Sequence, residues 1–254
     1  MVSAADRAKG PARTSVWTEE RTGRGRRDTH PAGLDRAKII DATVRLLDAD
    51  GTAKFSMRRL AAELDVTAMS IYWYVDTKDD LLELALDASF GTIRLPDVGT
   101  PGAWREQLRA LAAEYRAMLV RHPWVSALVG AYLNIGPRSL DFSLAVQQVM
   151  RNTGLPVRGQ MGGLSAVFQF VYGFGTIEGQ FTARCAAAGL SQDEYFRDAM
   201  GAMNKDPQLR HYAVASSKIM EARGGDTVTE MRERDFEYAL ELLIAGIEAM
   251  AARA

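Results

Sequence analysis

Residues 56–75 read SMRRLAAELDVTAMSIYWYV, and this stretch decides the fold. Its first half carries apolar residues at the spacing of one face of a short helix, and Asp65-Val66 forms a tight turn after them. Thr67 is a natural N-cap for the next helix, which we expect to run to about Tyr74. Two short helices joined by a turn of three or four residues predict a helix-turn-helix, whose second helix enters the major groove of DNA.

Helical patterns continue on both sides of this stretch. The helix before it ends at Gly51, since glycine is a common helix terminator. Capping boxes begin three later helices, at Thr77, Ser191 and Thr227. No run alternates between apolar and polar residues over more than a few positions, as a half-buried strand would. The sequence therefore predicts an all-α fold.

Composition divides the chain into three parts. Residues 1–33 have no hydrophobic period and hold seven basic and four acidic residues, which predicts a disordered basic arm with a net charge of +3. A solvated tail and a DNA-contacting arm both fit this composition. Two prolines and a glycine between Leu95 and Pro101 mark the best break in the chain. We therefore expect a helix-turn-helix domain over 34–95 and a larger helical domain over 100–254.

The whole-chain composition excludes several classes of protein. A formal net charge of −1 over 254 residues excludes a wholly basic nucleic-acid coat. The single cysteine, Cys185, forms no internal disulfide and builds no thiolate zinc site with three scattered histidines, so we expect a cytoplasmic protein without metal or cofactor. Residues 159–177 carry no charge, but they include polar side chains and glycines. They predict a buried helix in a soluble protein better than a membrane span.

A longer pattern surrounds the helix-turn-helix, from Ala37 to Ala85. Its members are Ile39, Ile40, Ala42, Leu46, Leu47, Gly51, Phe55, Ser56, Met57, Arg58, Leu60, Ala61, Leu64, Val66, Ile71, Tyr72, Trp73, Tyr74, Val75, Lys78, Leu81 and Leu82. This pattern resembles the DNA-binding domain of the TetR family of transcriptional regulators. The Tyr-Trp-Tyr-Val run is similar to the tetracycline-repressor branch in particular, and so is the last helix, from Phe236 to Ile247.

The resemblance implies a DNA-reading surface on the helix-turn-helix. It places Arg58 at a base or phosphate, and a guanidinium suits guanine because it donates two hydrogen bonds in one plane. It places Lys78 at a phosphate, since a lysine in the first turn of a helix opposes the macrodipole unless an anion is near; a solvated side chain is the alternative. The expected DNA-contacting residues are Arg58, Thr67, Ala68, Met69, Ser70, Tyr72, Tyr74 and Lys78.

The resemblance also implies that residues 100–254 dimerise and bind a small effector. The uncharged helix, over about 157–188, and the last helix, over about 227–251, have features of a four-helix interface between two protomers. Internal core is the alternative for both. The expected interface residues are Gly163, Leu164, Val171, Phe236, Leu240, Leu243 and Ile247.

An effector domain needs an apolar cavity with a few polar groups. Aromatic residues and methionines at helical spacing fit such a cavity, but they are also typical of plain core. The expected ligand-binding residues are Tyr115, Met118, His122, Trp124, Tyr132, Met150, Phe168, Gln169, Tyr172 and Glu178.

We therefore expect a homodimeric transcriptional regulator that binds a palindromic DNA operator, with recognition helices about 34–36 Å apart. Repression is the family default, and a small, largely apolar effector would release the DNA. We expect no enzyme and no membrane partner. A helical protein-interaction adaptor and a small-molecule enzyme are the alternatives, and neither predicts a tight, salt-sensitive, two-fold DNA complex.

Overall fold

The computed structural model describes residues 15–18 and 34–253. Within them it contains helices and no strand, which confirms the all-α prediction. The helices are α1 (Arg36–Lys54), α2 (Met57–Glu63), α3 (Ala68–Ile71), α4 (Lys78–Phe90), α5 (Trp104–Arg121), α6 (Val125–Val129), α7 (Pro137–Asn152), α8 (Val157–Ala187), α9 (Gln192–Lys205), α10 (Pro207–Arg223) and α11 (Val228–Ala251).

Local sequence signals placed several helix boundaries correctly. All three predicted capping boxes form: the Thr77, Ser191 and Thr227 side chains each accept from the backbone three residues on, whose acidic side chain accepts from the cap residue. Gly51 breaks the helical conformation of α1, with φ of 71°. Helix α3 is shorter than predicted, because the chain leaves the helix after Ile71 and continues as a turn.

The described part of the predicted arm is ordered. Most of residues 1–33 lie outside the described residues, so the arm as a whole stays a prediction. Ser15–Thr18, however, form a turn in which the Thr18 amide donates to the Ser15 carbonyl at 3.3 Å. Ser15 is buried, and its hydroxyl donates to the Glu83 carboxylate of α4. Disorder is therefore the wrong prediction for these four residues.

The chain forms two compact units, and their division differs from the expected domains. The first unit runs to Arg94 and also takes in Trp124–Leu144, whereas the second consists of Leu95–Pro123 and the chain from Ala145 onward. Trp124 joins the first unit because its indole Nε1 donates to Asp48 of α1 at 2.6 Å. The Ser139 amide, at the start of α7, donates to Asp87 of α4 at 2.9 Å. A boundary drawn from prolines and glycines does not detect such long-range bonds.

Helix α4 is the central element of the first unit. Ten of its side chains are buried, including those of Asp80, Glu83 and Asp87. It packs against α1 and α6. Its leucines join the fully buried Ile39, Leu60 and Ile71, so one core fixes α2 and α3 relative to the other helices of the unit.

In the second unit, α5 packs along α8, and α11 packs on α8 as well. Two glycines of α8 permit the close approach of α5. A Cβ atom on Gly179 would lie 2.8 Å from the Leu119 carbonyl oxygen, and one on Gly175 would lie 3.0 Å from the Leu119 side chain. None of the described helices is long and apolar enough to cross a membrane.

Candidate DNA-binding surface and effector site

Helix α3 presents an exposed face next to its capped N-terminus. The Thr67 hydroxyl accepts from the Ser70 amide at 3.2 Å and lies 2.9 Å from the Ser70 hydroxyl, so the two side chains cap the helix together. On the outer side, Met69 is 69 % exposed and Tyr72 is also exposed. Ile71 faces inward and is fully buried. The helix is therefore fixed by its inner side and leaves its outer side available to a partner.

Two adjacent arginines on α2 differ in their surroundings. Arg59 is held by an ion pair with Asp50 and by a hydrogen bond to the Lys54 carbonyl. Arg58 is exposed and forms no ion pair with the described residues. A guanidinium that the protein does not engage remains available to a phosphate or a base edge. This contrast supports the choice of Arg58 over Arg59 as a DNA-contacting residue.

Two of the expected DNA contacts have structural roles. The Tyr74 hydroxyl donates to the Leu34 carbonyl at 2.7 Å, which ties the end of the α3 turn to the start of α1. The Lys78 ammonium donates to the Phe55 carbonyl at 2.9 Å and lies 5.5 Å from the centre of the Phe55 ring. Both side chains are therefore hydrogen-bonded within the protein, and their contact with DNA stays a prediction. Both hold the helix-turn-helix together.

Trp73 is an exposed residue that was not among the expected DNA contacts. Its indole is 62 % exposed and directly follows Tyr72 in the turn after α3. The signal was present in the sequence: between the buried Ile71 and Val75, a large apolar side chain at position 73 falls on the outer side of the turn. An exposed tryptophan offers an apolar face and one N–H donor to a partner.

The second unit buries a charged network of which the sequence predicted only Glu178 as a site residue. Arg116 of α5 is 7 % exposed, and its guanidinium lies 2.7 Å and 3.2 Å from the two Glu178 carboxylate oxygens and 2.7 Å from Glu233. It stacks over the rings of Phe174 and Phe236, at 5.2 and 4.5 Å. Burial lowers the pKa of Arg116, but the hydrogen bonds and charges of Glu178 and Glu233 outweigh it and raise the pKa. The arginine therefore stays charged.

A second cluster of the same unit is aromatic. The Tyr115 and Phe168 rings lie 6.0 Å apart, and burial, followed by the nearby Tyr172, raises the pKa of the Tyr115 hydroxyl. Met118 and Met150 are buried in the same unit. These five residues were expected at the effector site, and that role stays a prediction.

The other expected ligand residues have different surroundings. Trp124 and Tyr132 belong to the first unit, so they do not share a site within the second. Gln169 lies on the exposed side of α8. The Glu178 carboxylate is occupied by Arg116. His122 is buried where α5 ends, and its amide donates to the Met118 carbonyl as the helix cap.

The expected dimer residues are mostly internal core. Within a single chain, Gly163, Val171, Phe236, Leu240 and Ile247 are all buried, so they have no surface to offer a second protomer. A Cβ atom on Gly163 would lie 3.6 Å from the Ile247 side chain. Leu164 and Leu243 are half-buried. The most regular apolar stripe therefore packs inside the protomer.

The outer faces of the same two helices carry other apolar side chains. On α8 these are Met161 and Ile177, and on α11 they are Tyr238, Leu242 and Met250, all at least 60 % exposed. The α11 residues recur at four and eight positions along one side of the helix, and exposed Ala245, Gly246 and Ala249 lie between them. This set forms the outer stripe of α8 and α11.

A cavity of about 540 Å³ lies in the second unit, and none of the expected ligand residues lines it. It is lined by Asp193, Phe196, Arg197, Met200, Gly201, Asn204, Gly225, Asp226 and Met231. No group of three or more metal-binding side chains occurs among the residues that the structure describes.

Known proteins match both units. A family model described as "Tetracyclin repressor-like, C-terminal domain" matches residues 95–251, and one described as "Bacterial regulatory proteins, tetR family" matches residues 39–85. An HTH-type transcriptional regulator of Saccharopolyspora erythraea is 35 % identical over 219 residues, 86 % of each chain. The HTH-type transcriptional repressor DrrR1 of Streptomyces coeruleorubidus is 30 % identical over 240 residues, 94 % of this chain and 85 % of that one.

A solved structure supports the fold over the same length. The TetR family protein ActR of Streptomyces coelicolor, crystallised with actinorhodin, is 25 % identical, with a TM-score of 0.66 over 87 % of this chain and 99 % of its own. The exposed α3 surface, the two family models and the relatives over most of the chain agree. The protein belongs to the TetR family of transcriptional regulators.

Proposed function

We propose that this chain is a homodimeric repressor that binds a two-fold DNA operator and releases it when a small, largely apolar effector binds. The observation that carries the proposal is the outer surface of α3 and its turn. Met69, Tyr72 and Trp73 are exposed there, beside an Arg58 that no described residue pairs. The named relatives are regulators and one is a repressor, which favours regulation over catalysis. An operator-binding protein acts where the DNA is, in the cytoplasm.

The surface fits direct reading of DNA by short side chains and rings. Apolar side chains contact thymine methyl groups, while hydroxyls such as those of Thr67 and Ser70 suit phosphate oxygens. Arg58 adds a cation that selects guanine or neutralises a phosphate. Four residues of helix cover few base pairs, so the proposal requires two copies bound to two half-sites.

The outer stripe of α8 and α11 supplies the contact between the two copies. Its small residues, such as Gly246, allow helices to approach closely, and its larger ones, such as Leu242, fill the space between them. Exposing an apolar stripe of this kind to water is unfavourable in free energy. Related by a two-fold axis, two α8 helices and two α11 helices form a four-helix interface.

The effector site lies in the second unit, and the Tyr115, Phe168 and Tyr172 rings supply its apolar wall. Their flat faces suit a ligand with planar rings, and ActR, which is similar over most of its length, was crystallised with actinorhodin. Release follows if the ligand binds better to an arrangement of the dimer that does not fit the operator. By linkage, the operator then weakens ligand binding by the same factor.

Fluorescence anisotropy with labelled DNA from the promoter beside the gene tests the proposal. We expect a complex of one dimer per palindrome, with an affinity that falls steeply as salt rises, because phosphate contacts release counterions. Actinorhodin and tetracycline are the first effector probes, and one of them or a close analogue should dissociate the complex. An affinity that does not depend on sequence, or a 1:1 complex with a single half-site as the only species, would refute the proposal.

A further inference from the structure

Helix α4 buries three carboxylates, and each has a different partner. Asp80 accepts from the Asp76 and Thr77 amides as part of the capping box. Asp87 accepts from the Ser139 amide at 2.9 Å, and Arg138 lies 3.6 Å from its second oxygen. Glu83, between them and only 4 % exposed, takes its donors from a segment that is distant in sequence.

That segment is the Ser15–Thr18 turn. One Glu83 oxygen accepts from the Ser15 hydroxyl, and the other accepts from the Val16 amide at 2.8 Å. The Ser15 side chain also accepts from the Trp17 amide at 3.2 Å, and the Thr18 hydroxyl donates to the Ser15 carbonyl at 3.2 Å. The turn is therefore organised by its own hydrogen bonds before it presents two donors to the carboxylate.

The contact between Glu83 and the Ser15–Thr18 turn stabilises α4 more than it stabilises the turn. A buried carboxylate is stable only where donors satisfy its oxygens, and here both donors come from the N-terminal segment. Without the turn, Glu83 would leave a charge without these bonds in the middle of a helix that is buried on nearly all sides. Asp79 and Asp80, on the adjacent turn of α4, add charge of the same sign to this region.

The position of α4 gives the contact a functional meaning. It is the last helix before the chain first leaves this unit, because a few residues beyond its end at Phe90 the chain crosses to the second unit between Arg94 and Leu95. We propose that Glu83 forms a docking socket for the chain's own N-terminal segment, and that the seated Ser15–Thr18 turn restrains α4, the helix that leads to the effector unit. The structural part stands alone; its role in operator release rests on the proposed function.

Hydrogen exchange of the full chain, followed by mass spectrometry without DNA or effector, tests the socket. In the wild type we expect the peptide over Ser15–Thr18 to exchange at least tenfold more slowly than the same sequence as a free peptide. Ser15→Asp places a second carboxylate against Glu83, so the turn should leave the socket and α4 should exchange at least tenfold faster. Ser15→Ala removes one donor and should give a smaller change in the same direction. It also replaces Ser15→Asp as the test if that variant does not fold.

Ser216→Asp is the matched control, because Ser216 is exposed on α10 and the added charge should change neither peptide. Free-peptide exchange of Ser15–Thr18 in the wild type would overturn the docking. Unchanged exchange of α4 when the turn has left would overturn the restraint. Anisotropy with operator DNA then separates the two proposals: Ser15→Asp should alter operator affinity severalfold relative to Ser216→Asp. A wild type that binds no DNA would instead refute the proposed function and leave the exchange result intact.

Discussion

The proposed DNA-contacting surface around α3 differs from the α8–α11 pair of the second unit in what determines its exposed side chains. On α3, local rules decide which residues face out: a capped N-terminus, one buried isoleucine and a tight turn leave Met69 and Trp73 exposed. On α8 and α11, the strongest apolar stripe faces the protomer's own core, and the weaker outer stripe is left for a partner. A regular hydrophobic repeat therefore identifies a buried face without saying which molecule buries it.

Removing the buried arginine of the second unit should have the largest effect. Arg116→Ala leaves Glu178 buried without its cation, and breaking such a pair costs on the order of 3–5 kcal/mol in the free energy of unfolding. Urea denaturation measures the loss. Arg105→Ala is the matched control, since Arg105 pairs with Glu248 at the surface and its loss should cost under about 1 kcal/mol.

The double variant Arg116→Met with Glu178→Leu separates charge from packing. Replacing both members of a buried pair by apolar residues is often neutral, so it should recover most of the stability lost in Arg116→Ala. Equal losses in Arg116→Ala and Arg105→Ala would show that the network does not hold α5 to α8. The packing of α8 and α11 in the second unit would then depend on apolar contacts alone.

A charge in the outer stripe of α11 should break the dimer. Leu242→Glu appears twice in a two-fold interface, and like charges brought together there cost several kcal/mol. We expect analytical ultracentrifugation to show a monomer that is folded by circular dichroism, with operator affinity reduced by about two orders of magnitude. Leu240→Ala, an internal change, should instead lower stability and leave the dimer intact.

If Leu242→Glu stays dimeric and Leu240→Ala does not, the inner stripe forms the interface after all. The regular apolar repeat in the sequence would then have identified the face between two protomers and not the protomer's own core. Tyr212→Glu, on the exposed part of α10, checks that a surface charge alone does not dissociate the protein.

The two adjacent arginines of α2 provide a test with a smaller effect, which is specific to the proposed DNA-contacting surface. Arg58→Ala should weaken operator binding by about 1–3 kcal/mol if it reads a base, and less if it meets only a phosphate. Arg59→Ala removes a cation that is already paired with Asp50, so operator affinity should change little. Anisotropy at two salt concentrations distinguishes the two roles, since a lost phosphate contact flattens the salt slope. Equal losses in both variants would mean that the Arg59 ion pair opens on DNA.

Local signals in the sequence predicted most of the fold. Capping boxes at Thr77, Ser191 and Thr227 and the break at Gly51 depend on neighbours within a few residues, so a single sequence contains all the information they need. The expected ligand residues depend on which helices meet, and there the sequence was insufficient. Trp124 is separated from Asp48 by 76 residues of chain, and no periodicity indicates that bond.

The same distinction explains which contacts of the candidate site the sequence did not predict. Tyr74 and Lys78 were assigned to DNA because of their type and position, but their partners, Leu34 and Phe55, lie 40 and 23 residues away in the sequence. Arg116 was overlooked because it interrupts an apolar stripe, and its partners are on two other helices. Its one sequence signal was Glu178, an acidic residue at the end of an uncharged run, which requires a partner once it is buried.

The smallest expected effect tests the segment Trp124–Leu144, which the sequence predicts in the second domain and which packs with the first unit. Burial and the carboxylate of Asp79 raise the pKa of Tyr132 to about 12 in the folded protein, against about 10 for an unfolded chain. The unfolded state therefore loses this proton first as pH rises. The stabilisation from Tyr132 is complete below about pH 10 and disappears as the pH rises through about 12.

Tyr132→Phe has no proton to lose, so its free energy of unfolding should fall less between pH 10 and pH 12 than that of the wild type. Urea titrations at both pH values measure the difference, and Tyr238→Phe, whose ring is exposed on α11, should follow the wild type. Lysines and arginines titrate alike in all three proteins, so their contributions cancel when the changes in the free energy of unfolding are compared. If Tyr132→Phe also follows the wild type, its hydroxyl is not buried beside Asp79. The grouping of Trp124–Leu144 with the first unit would then rest on the Trp124 and Ser139 bonds and on the packing of α6 against α4.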